Sequence, residues 1–539
     1  MSNDYVLVAV DVSGIQDYIF RSNNLKHQLG ASELVRRATS TWVREHLPKA
    51  NNMPSDDELL TDKCIERGEL DAEVLYSGGG NAVILFSDSE KAGNFIAGLT
   101  RTVLLNSPGL NVTVVHRAFA WREGGADLGA QVGELLGTDL RRKKQAGRIN
   151  SELLGLSVTA DCEFTGLPAV GRDGEDQRVS AEIKAKLAVV SGANGRLKRE
   201  IGGEDYARDF GDFGTEGESS YIAVVHTDGN SIGKRFQALT EHGLKNRDYI
   251  KAVRALSHSV NKAAQEALRE TVDAVRFLPL VDGKLAGIVP VRDDKLPFRP
   301  IVFGGDDVTF VCDGRLGLTV TAEYLKAFAA QTLDELSGKT HPTARAGIAI
   351  VKTHFPFGQA YRLAEALARS ARSFNDGGRY STMDWHFGIN GIVSDLQTIR
   401  RRDYVAWDGQ KEHSLLMRPL RLANDTVEWR TWSNFARLVS ELQNTSKYPS
   451  NKVRALREVL RSGPKATERF IAANFSKNEQ SSILNNSLPQ IPNRDARSGW
   501  IGEHCAYFDA IEAMEFFISL NSEQEGGSYD IAPTATTSL

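Results

Sequence analysis

Two adjacent carboxylates at the tip of a glycine turn are the residues of this chain best placed to hold a divalent cation. They are Asp306 and Asp307, in Ile301-Val302-Phe303-Gly304-Gly305-Asp306-Asp307-Val308-Thr309-Phe310-Val311. Apolar runs flank the turn, so the stretch reads as strand, tight turn and strand, with Gly304 and Gly305 taking turn dihedrals and the acids projecting from the tip. Glycine and aspartate are also the commonest turn residues, and such a motif by itself need only reverse the chain. A third acid adds to it. Asp228 ends the apolar run from Tyr221 to Thr227 and precedes a small-residue turn, Gly229-Asn230-Ser231, that opens a helix through Ile232 and Lys234. If the two strands are neighbours in one sheet, Asp228 faces Asp306 and Asp307, and the three can hold two Mg²⁺ or Mn²⁺ ions.

Paired metal ions serve nucleotidyl transfer, which needs an activated 3′-hydroxyl, an α-phosphate held in line and charge neutralised on pyrophosphate. On that reading Asp228 and Asp306 bridge the metals, and Asp307 is a further ligand or an orienting base. The Gly229 backbone can add an oxygen. Gly304, Gly305 and the neutral Asn230 are expected beside the nucleotide, with no metal assigned to Asn230. Amides of Ser231 and Ile232 at a helix start can meet phosphate oxygens, and Lys234 adds a point charge. On the helix from Tyr361 to Phe374, Arg369 and Arg372 are three apart and share a face, where they can clamp a triphosphate.

The plan occurs twice. Tyr5 to Val10 is an apolar strand ending at Asp11. Tyr76-Ser77-Gly78-Gly79-Gly80-Asn81 with Ala82 to Phe86 is a second glycine hairpin, and Asn111 to Phe119 is a further strand. Asp11 corresponds to Asp228, and Gly78 to Asn81 correspond to Gly304 to Asp307. The hairpin acids are thereby replaced by Gly80 and Asn81, which cannot bind Mg²⁺ as anions. The first copy is expected to keep the fold and to have lost the metal site.

The order of these marks resembles the Palm domain of nucleotidyl cyclases and polymerases: a strand with Asp-Gly-Asn-x-x-Gly-Lys, a long helix, the Gly-Gly-Asp-Asp hairpin, a helix, then Ala344-Arg345-Ala346-Gly347-Ile348-Ala349-Ile350. Within that class it is most similar to the large polymerase subunit of type III CRISPR effector complexes, and His354-Phe355-Pro356-Phe357 and Asp384-Trp385-His386-Phe387 fit the same pattern. The resemblance implies an α+β fold. It has two ferredoxin-like Palm domains, one active and one degenerate, facing each other around the nucleotides and so placing Asn81 near them, with a linking domain and a C-terminal helical domain. It also implies ATP as substrate, cyclic oligoadenylate second messengers as products in antiviral defence, and activation by guide and target RNA within a larger complex. Zinc is not expected, because only Cys162 stands where relatives carry a Cys-x-x-Cys pair. Cleavage by an N-terminal His-Asp nuclease is not expected either: the chain has no His-Asp dipeptide and no residues before the first Palm to house one. Two alternatives stay open: a cyclic mono- or dinucleotide synthase acting alone, and a catalytically silent scaffold subunit of an RNA-guided complex.

The expected boundaries are a degenerate Palm at 1–125, a linking region at 126–218, a catalytic Palm at 219–395, a helical domain at 396–520 and a disordered tail at 521–539. Helices are expected from Asp127 to Gly147, from Ala181 to Leu187, and along Ile250, Val253, Leu256, Val260, Ala264 and Leu268. Others are expected over Thr431 to Leu442, Lys452 to Arg461, Ala466 to Asn474 and Gly502 to Leu520. A mobile boundary is expected at Gly202 to Ser220. A net charge of −4 gives no whole-molecule argument for binding RNA. Four dispersed cysteines indicate no disulfide framework, and no long apolar segment or leader suggests a membrane, so a cytoplasmic protein is expected.

Overall fold

The first strand, Asp4–Ser13, is apolar at nearly every position because both of its faces are covered. Val6, Val8 and Val10 enter one core, and Tyr5, Leu7 and Ala9 enter another. The computed structural model describes residues 4–56, 58–147, 158–202, 205–214, 220–388, 395–423, 428–475 and 499–520. The tail at 521–539 and parts of the Gly202 to Ser220 stretch lie outside them.

After that strand come helix Leu25–Thr39, strands Ala72–Gly78 and Asn81–Phe86, helix Ser89–Asn106 and strand Asn111–Ala120. The four strands form an antiparallel sheet in which Asp4–Ser13 lies between Asn81–Phe86 and Asn111–Ala120. This is a βαββαβ, ferredoxin-like unit. The same sequence of elements returns as strand Tyr221–Gly229, helix Asn246–Arg276, strands Phe298–Val302 and Asp307–Asp313, helix Gly317–Ala330 and strand Ala344–Lys352, with the same strand order. The second sheet then gains a parallel strand, Thr382–Gly388, through helix Phe357–Arg372, and a short edge strand, Leu420–Arg421.

The register makes the repetition residue-specific. Asp11 stands opposite Asn81 on one side and Thr113 on the other; Asp228 stands opposite Asp307 and Arg345.

The two sheets share their cores. Val6, Val8 and Val10 belong to one apolar cluster with Ile222, Val224, Ala360 and Tyr361. The long helix buries Ile250, Val253, Leu256, Val260, Ala264 and Leu268, as its periodicity predicts. It also carries Arg247 and Arg254, which meet Glu73 on the first sheet. Helices Ala181–Ala188 and Val190–Glu200 lie in the segment between the units.

The stretch from Asp127 to Gly147 is helical but interrupted by a π-helical turn, Leu135–Asp139. Beyond Leu396 three expected helices form, at Trp432–Gln443, Ser450–Leu460 and Pro464–Asn474. The fourth differs. Gly502, at φ 60°, turns the chain between short strands Trp500–Ile501 and His504–Cys505, leaving only Phe508–Ala513 as α-helix. Those strands join Val405–Trp407 and Glu412–Ser414 in a small sheet, so this region is not purely helical. The four cysteines are buried thiols, and among the described residues no helix is long and apolar enough to cross a membrane.

Candidate functional site

Three acids meet at one end of the second sheet, and the meeting depends on glycine. Gly229 N–H donates to the Asp306 carbonyl at 3.2 Å. A Cβ on Gly229 would lie 2.8 Å from Asp306 Cβ and 2.7 Å from Ile232 Cγ1, so no larger residue fits without movement. Gly304 and Gly305 have φ of 112° and 147°, the region that L side chains avoid. Asp307 is the direct cross-strand partner of Asp228, a placement that puts Cβ atoms about 5 Å apart. The tip also touches the other unit: a Cβ on Gly305 would lie 3.9 Å from Gly79 Cα, and one on Gly79 would lie 3.8 Å from the Gly304 carbonyl oxygen. The two glycine turns abut.

Crowded acids in a partly buried place repel one another and lose hydration. Burial pushes the Asp306 carboxyl up to about 6, and the charge of Asp228 adds to the effect. Asp228 is also raised, by burial first, with Arg345 opposing and Asp307 reinforcing. His226 Nδ1 lies 3.2 Å from Asp307 Oδ1. Burial alone would lower that imidazole, but the hydrogen bond and charge of Asp307 raise it. Arg345 Nη2 pairs with Asp228 Oδ2. The acids are thus gathered at one end of the sheet, but two of them face the protein's own cations. Among the described residues no group of three or more His, Cys, Asp or Glu side chains is arranged as a ready-made metal cage. The donors are the hard carboxylate oxygens that Mg²⁺ and Mn²⁺ take, and their mutual repulsion is what a bound cation would relieve.

That repulsion predicts a stability effect. Asp306 binds a proton more readily folded than unfolded, so it destabilises the fold progressively as pH rises from 3.8 through about 6. Asp306→Asn is expected to stabilise the metal-free protein by about 1–2 kcal/mol at pH 7.5, after discounting for partial exposure. Denaturant titration should show that gain vanishing below the ordinary aspartate pKa.

The remaining predicted residues separate into two sets. Ser231 is exposed at φ 61° ahead of helix Ile232–Glu241, and Lys234 is exposed on that helix. Ile232 is buried in the core, leaving only its backbone to meet a ligand. Arg372 lies close enough for its charge to act on Asp228. Arg369 is exposed one turn back, with Glu365 Oε1 at 3.6 Å. Asn230 is 2% exposed, and its side chain is held by Thr343, Tyr380 and Asn375, which makes it a positioning residue of the turn. Asn81 lies at the head of its strand opposite Asp11.

Sequence reasoning missed two cations, Arg345 on Asp228 and Lys144 on Asp11. Arg345 has a signal in retrospect, since it is the one charged residue in the run Ala344 to Val351, and charges in buried strands need partners. Lys144 sits in the basic run Arg141-Arg142-Lys143-Lys144. That run folds back on the first sheet, with Lys143 Nζ donating to the Val114 carbonyl at 2.8 Å.

Comparison with known proteins agrees with this geometry. Residues 221–380 match the family model for the second palm domain of Cas10/Cmr2. No curated protein matches the sequence. Among solved structures, a Csm1–Csm4 cassette in complex with cA4 superposes with a TM-score of 0.51 at 12% identity, covering 95% of this chain and 70% of that chain. A cassette in complex with pppApApA gives 0.52 at 14% identity, covering 95% and 69%. The Csm1–Csm4 subcomplex of a type III-A CRISPR-Csm interference complex gives 0.50 at 14%, covering 95% and 70%. Identities this low establish the fold.

Proposed function

We propose, from the premise that residues 221–380 are a second palm domain of the Cas10/Cmr2 family, that this chain is a metal-dependent nucleotidyltransferase. In this reading it converts ATP to cyclic oligoadenylates within a type III CRISPR complex, in response to guide-paired target RNA. The catalytic unit is 219–395, the silent palm 1–125, the linking region 126–218 and the C-terminal region 396–520. A partner subunit placed as Csm4 is on Csm1 belongs to the proposal, and the relatives' cA4 and pppApApA support an adenylate substrate.

One observation carries the reading. At equivalent register positions the second sheet sets Asp228 against Asp307, while the first sets Asp11 against Asn81 and neutralises Asp11 with Lys144. A scaffold would have no use for three crowded acids that one arginine and one histidine only partly offset and that cost stability.

Asp228, Asp306 and Asp307 would hold two Mg²⁺ or Mn²⁺ ions, which when bound would polarise the α-phosphate and lower the barrier to losing the 3′-hydroxyl proton. The chain's own groups do the rest. Asp307, oriented by His226, accepts or orients the hydroxyl proton. Gly304 and Gly305 let phosphate approach the backbone closely, and the amides ahead of helix Ile232–Glu241 with Lys234 face the polyphosphate. Arg372, whose charge reaches Asp228, supplies positive charge for the polyphosphate, with Arg369 one turn away. With the Gly79 and Gly305 tips abutting, Asn81 is the first-sheet residue proposed to meet a second nucleotide, held face to face with the first.

The test is incubation of the purified chain with each nucleoside triphosphate and Mg²⁺ or Mn²⁺, alone and with partner subunits and RNA. Products are identified by mass and pyrophosphate is quantified. Cyclic adenylates from ATP are the expected result. A cyclic mono- or dinucleotide would move the assignment to the simpler synthase. No pyrophosphate under any condition would leave a silent scaffold.

A further inference from the structure

Asp228 already carries a cation, and the structure holds that cation in place. Besides its pairing with Asp228, the Arg345 guanidinium donates from Nη1 to Asn230 Oδ1 at 3.3 Å. Asn230 is itself fixed: its Nδ2 donates to Thr343 Oγ1 at 3.0 Å and to the Tyr380 carbonyl at 3.3 Å, and its Oδ1 accepts from Asn375 Nδ2 at 2.9 Å. Arg345 and Asp228 are direct cross-strand partners on two central strands, so their backbones are fixed in register. The first sheet treats its equivalent acid differently. There the strand partner is the neutral Thr113, and the cation on Asp11 is Lys144, brought from a helix outside the sheet. One lysine on one acid, with Asn81 opposite, makes a closed pair. One arginine among three acids, with only the His226 imidazole at 3.2 Å from Asp307 besides, leaves negative charge over.

We propose that Arg345 is a tethered cation on the metal-facing side of Asp228, displaced when a divalent ion binds, and that it thereby sets the metal affinity of the site. The inference rests on the metal-holding role proposed above for Asp228, Asp306 and Asp307. The Asp228 side chain is 33% exposed and that of Arg345 13%. A partly exposed ion pair is held weakly, so a doubly charged ion can displace it with some loss of affinity. Asn230 Oδ1 keeps a hydrogen-bond acceptor beside the guanidinium after release. Such a site is only partly compensated until metal arrives, and a purely structural arginine would behave in the opposite way: its removal would free Asp228 to turn away and weaken metal binding.

The experiment measures Mn²⁺ binding to the intact chain from the EPR signal of free Mn²⁺, without nucleotide. Arg345→Gln is expected to bind Mn²⁺ about tenfold more tightly than wild type, within the usual range of couplings between ligands. Arg345→Lys, whose compact ammonium cannot bridge Asp228 and Asn230 together, is expected to gain less. It keeps the test alive if the glutamine variant fails to fold by circular dichroism. Affinity unchanged or weakened in the folded Arg345 variants, with wild-type binding abolished by Asp306→Asn plus Asp307→Asn, overturns this inference and leaves the site reading intact. Wild-type binding that survives Asp306→Asn plus Asp307→Asn, or no Mn²⁺ binding by any protein, overturns the site reading and the inference together.

Discussion

Asp306→Asn combined with Asp307→Asn is expected to reduce pyrophosphate release from ATP by on the order of 10³-fold or more while leaving the protein folded. The expectation of lost activity comes from charge. Two anions at the tip become neutral amides of nearly the same shape, reproducing in the second sheet the neutral Asn81 that stands opposite Asp11 in the first. The expectation of retained folding comes from the cost of those anions, since burial and the charge of Asp228 raise Asp306 to about 6. Neutralisation removes repulsion, so the double variant should melt no lower than wild type. Loss of product with a retained or raised melting temperature separates a catalytic role from a structural one. Unchanged product formation would show that the acids at this tip hold no catalytic metal, whatever the fold resembles.

How much of this was legible beforehand depended on whether the signal was local. The apolar period of Ile250, Val253, Leu256 and Val260 is a property of neighbouring residues, and all four are buried on the long helix. Likewise the glycine turns sit where turn chemistry puts them. Pairing Asp11 with Asp228 and Asn81 with Asp307 by order alone coincides with the strand register, because a βαββαβ unit fixes which strands are neighbours once its elements are ordered. Lys144 was not legible as a site residue, and Arg345 only as a buried strand charge in need of some partner. Each reaches its acid across a strand pair or from a helix distant in sequence, and no periodicity encodes such a contact. The inward setting of Asn230 was not legible for a related reason: its polar side chain reads as ligand-facing in the turn, while Thr343, Asn375 and Tyr380 hold it from elements distant in sequence. The strands Trp500–Ile501 and His504–Cys505 were hidden by their shortness, since two residues carry no alternation to detect.

The contact between the two units adds a buried ionic cluster to their shared apolar core, which makes Glu73→Ala the substitution with the largest expected effect on stability. Glu73 is fully buried on strand Ala72–Gly78. Its Oε1 accepts from Arg247 Nη1 at 2.6 Å and Arg254 Nη2 at 2.7 Å, and Oε2 accepts from the Ile65 amide at 3.1 Å. Arg254 also donates to the Val74 carbonyl, while Arg247 is shared with Glu66. Removing Glu73 leaves the Arg254 charge buried with only a carbonyl to meet it, a loss of about 3–5 kcal/mol. Glu66→Ala should cost much less, because Glu66 is 20% exposed and Arg247 would retain Glu73. The pH dependence follows. Burial alone would raise the Glu73 carboxyl, but the hydrogen bond from Arg247 and the charges of Arg254 and Arg247 outweigh it and hold it below the usual 4.5. A carboxyl depressed in the folded state stabilises above its unfolded pKa and loses that contribution as pH falls through the folded one. The stability gap between wild type and Glu73→Ala, read by denaturant titration, should therefore be full at pH 6–8 and narrow only in acid below pH 4.5. The strand bearing Glu73 leads directly into the turn whose Gly79 touches Gly305. Loosening the cluster should accordingly reduce nucleotide condensation below the unfolding temperature as well, whereas a gap independent of pH would show that packing rather than charge joins the two sheets.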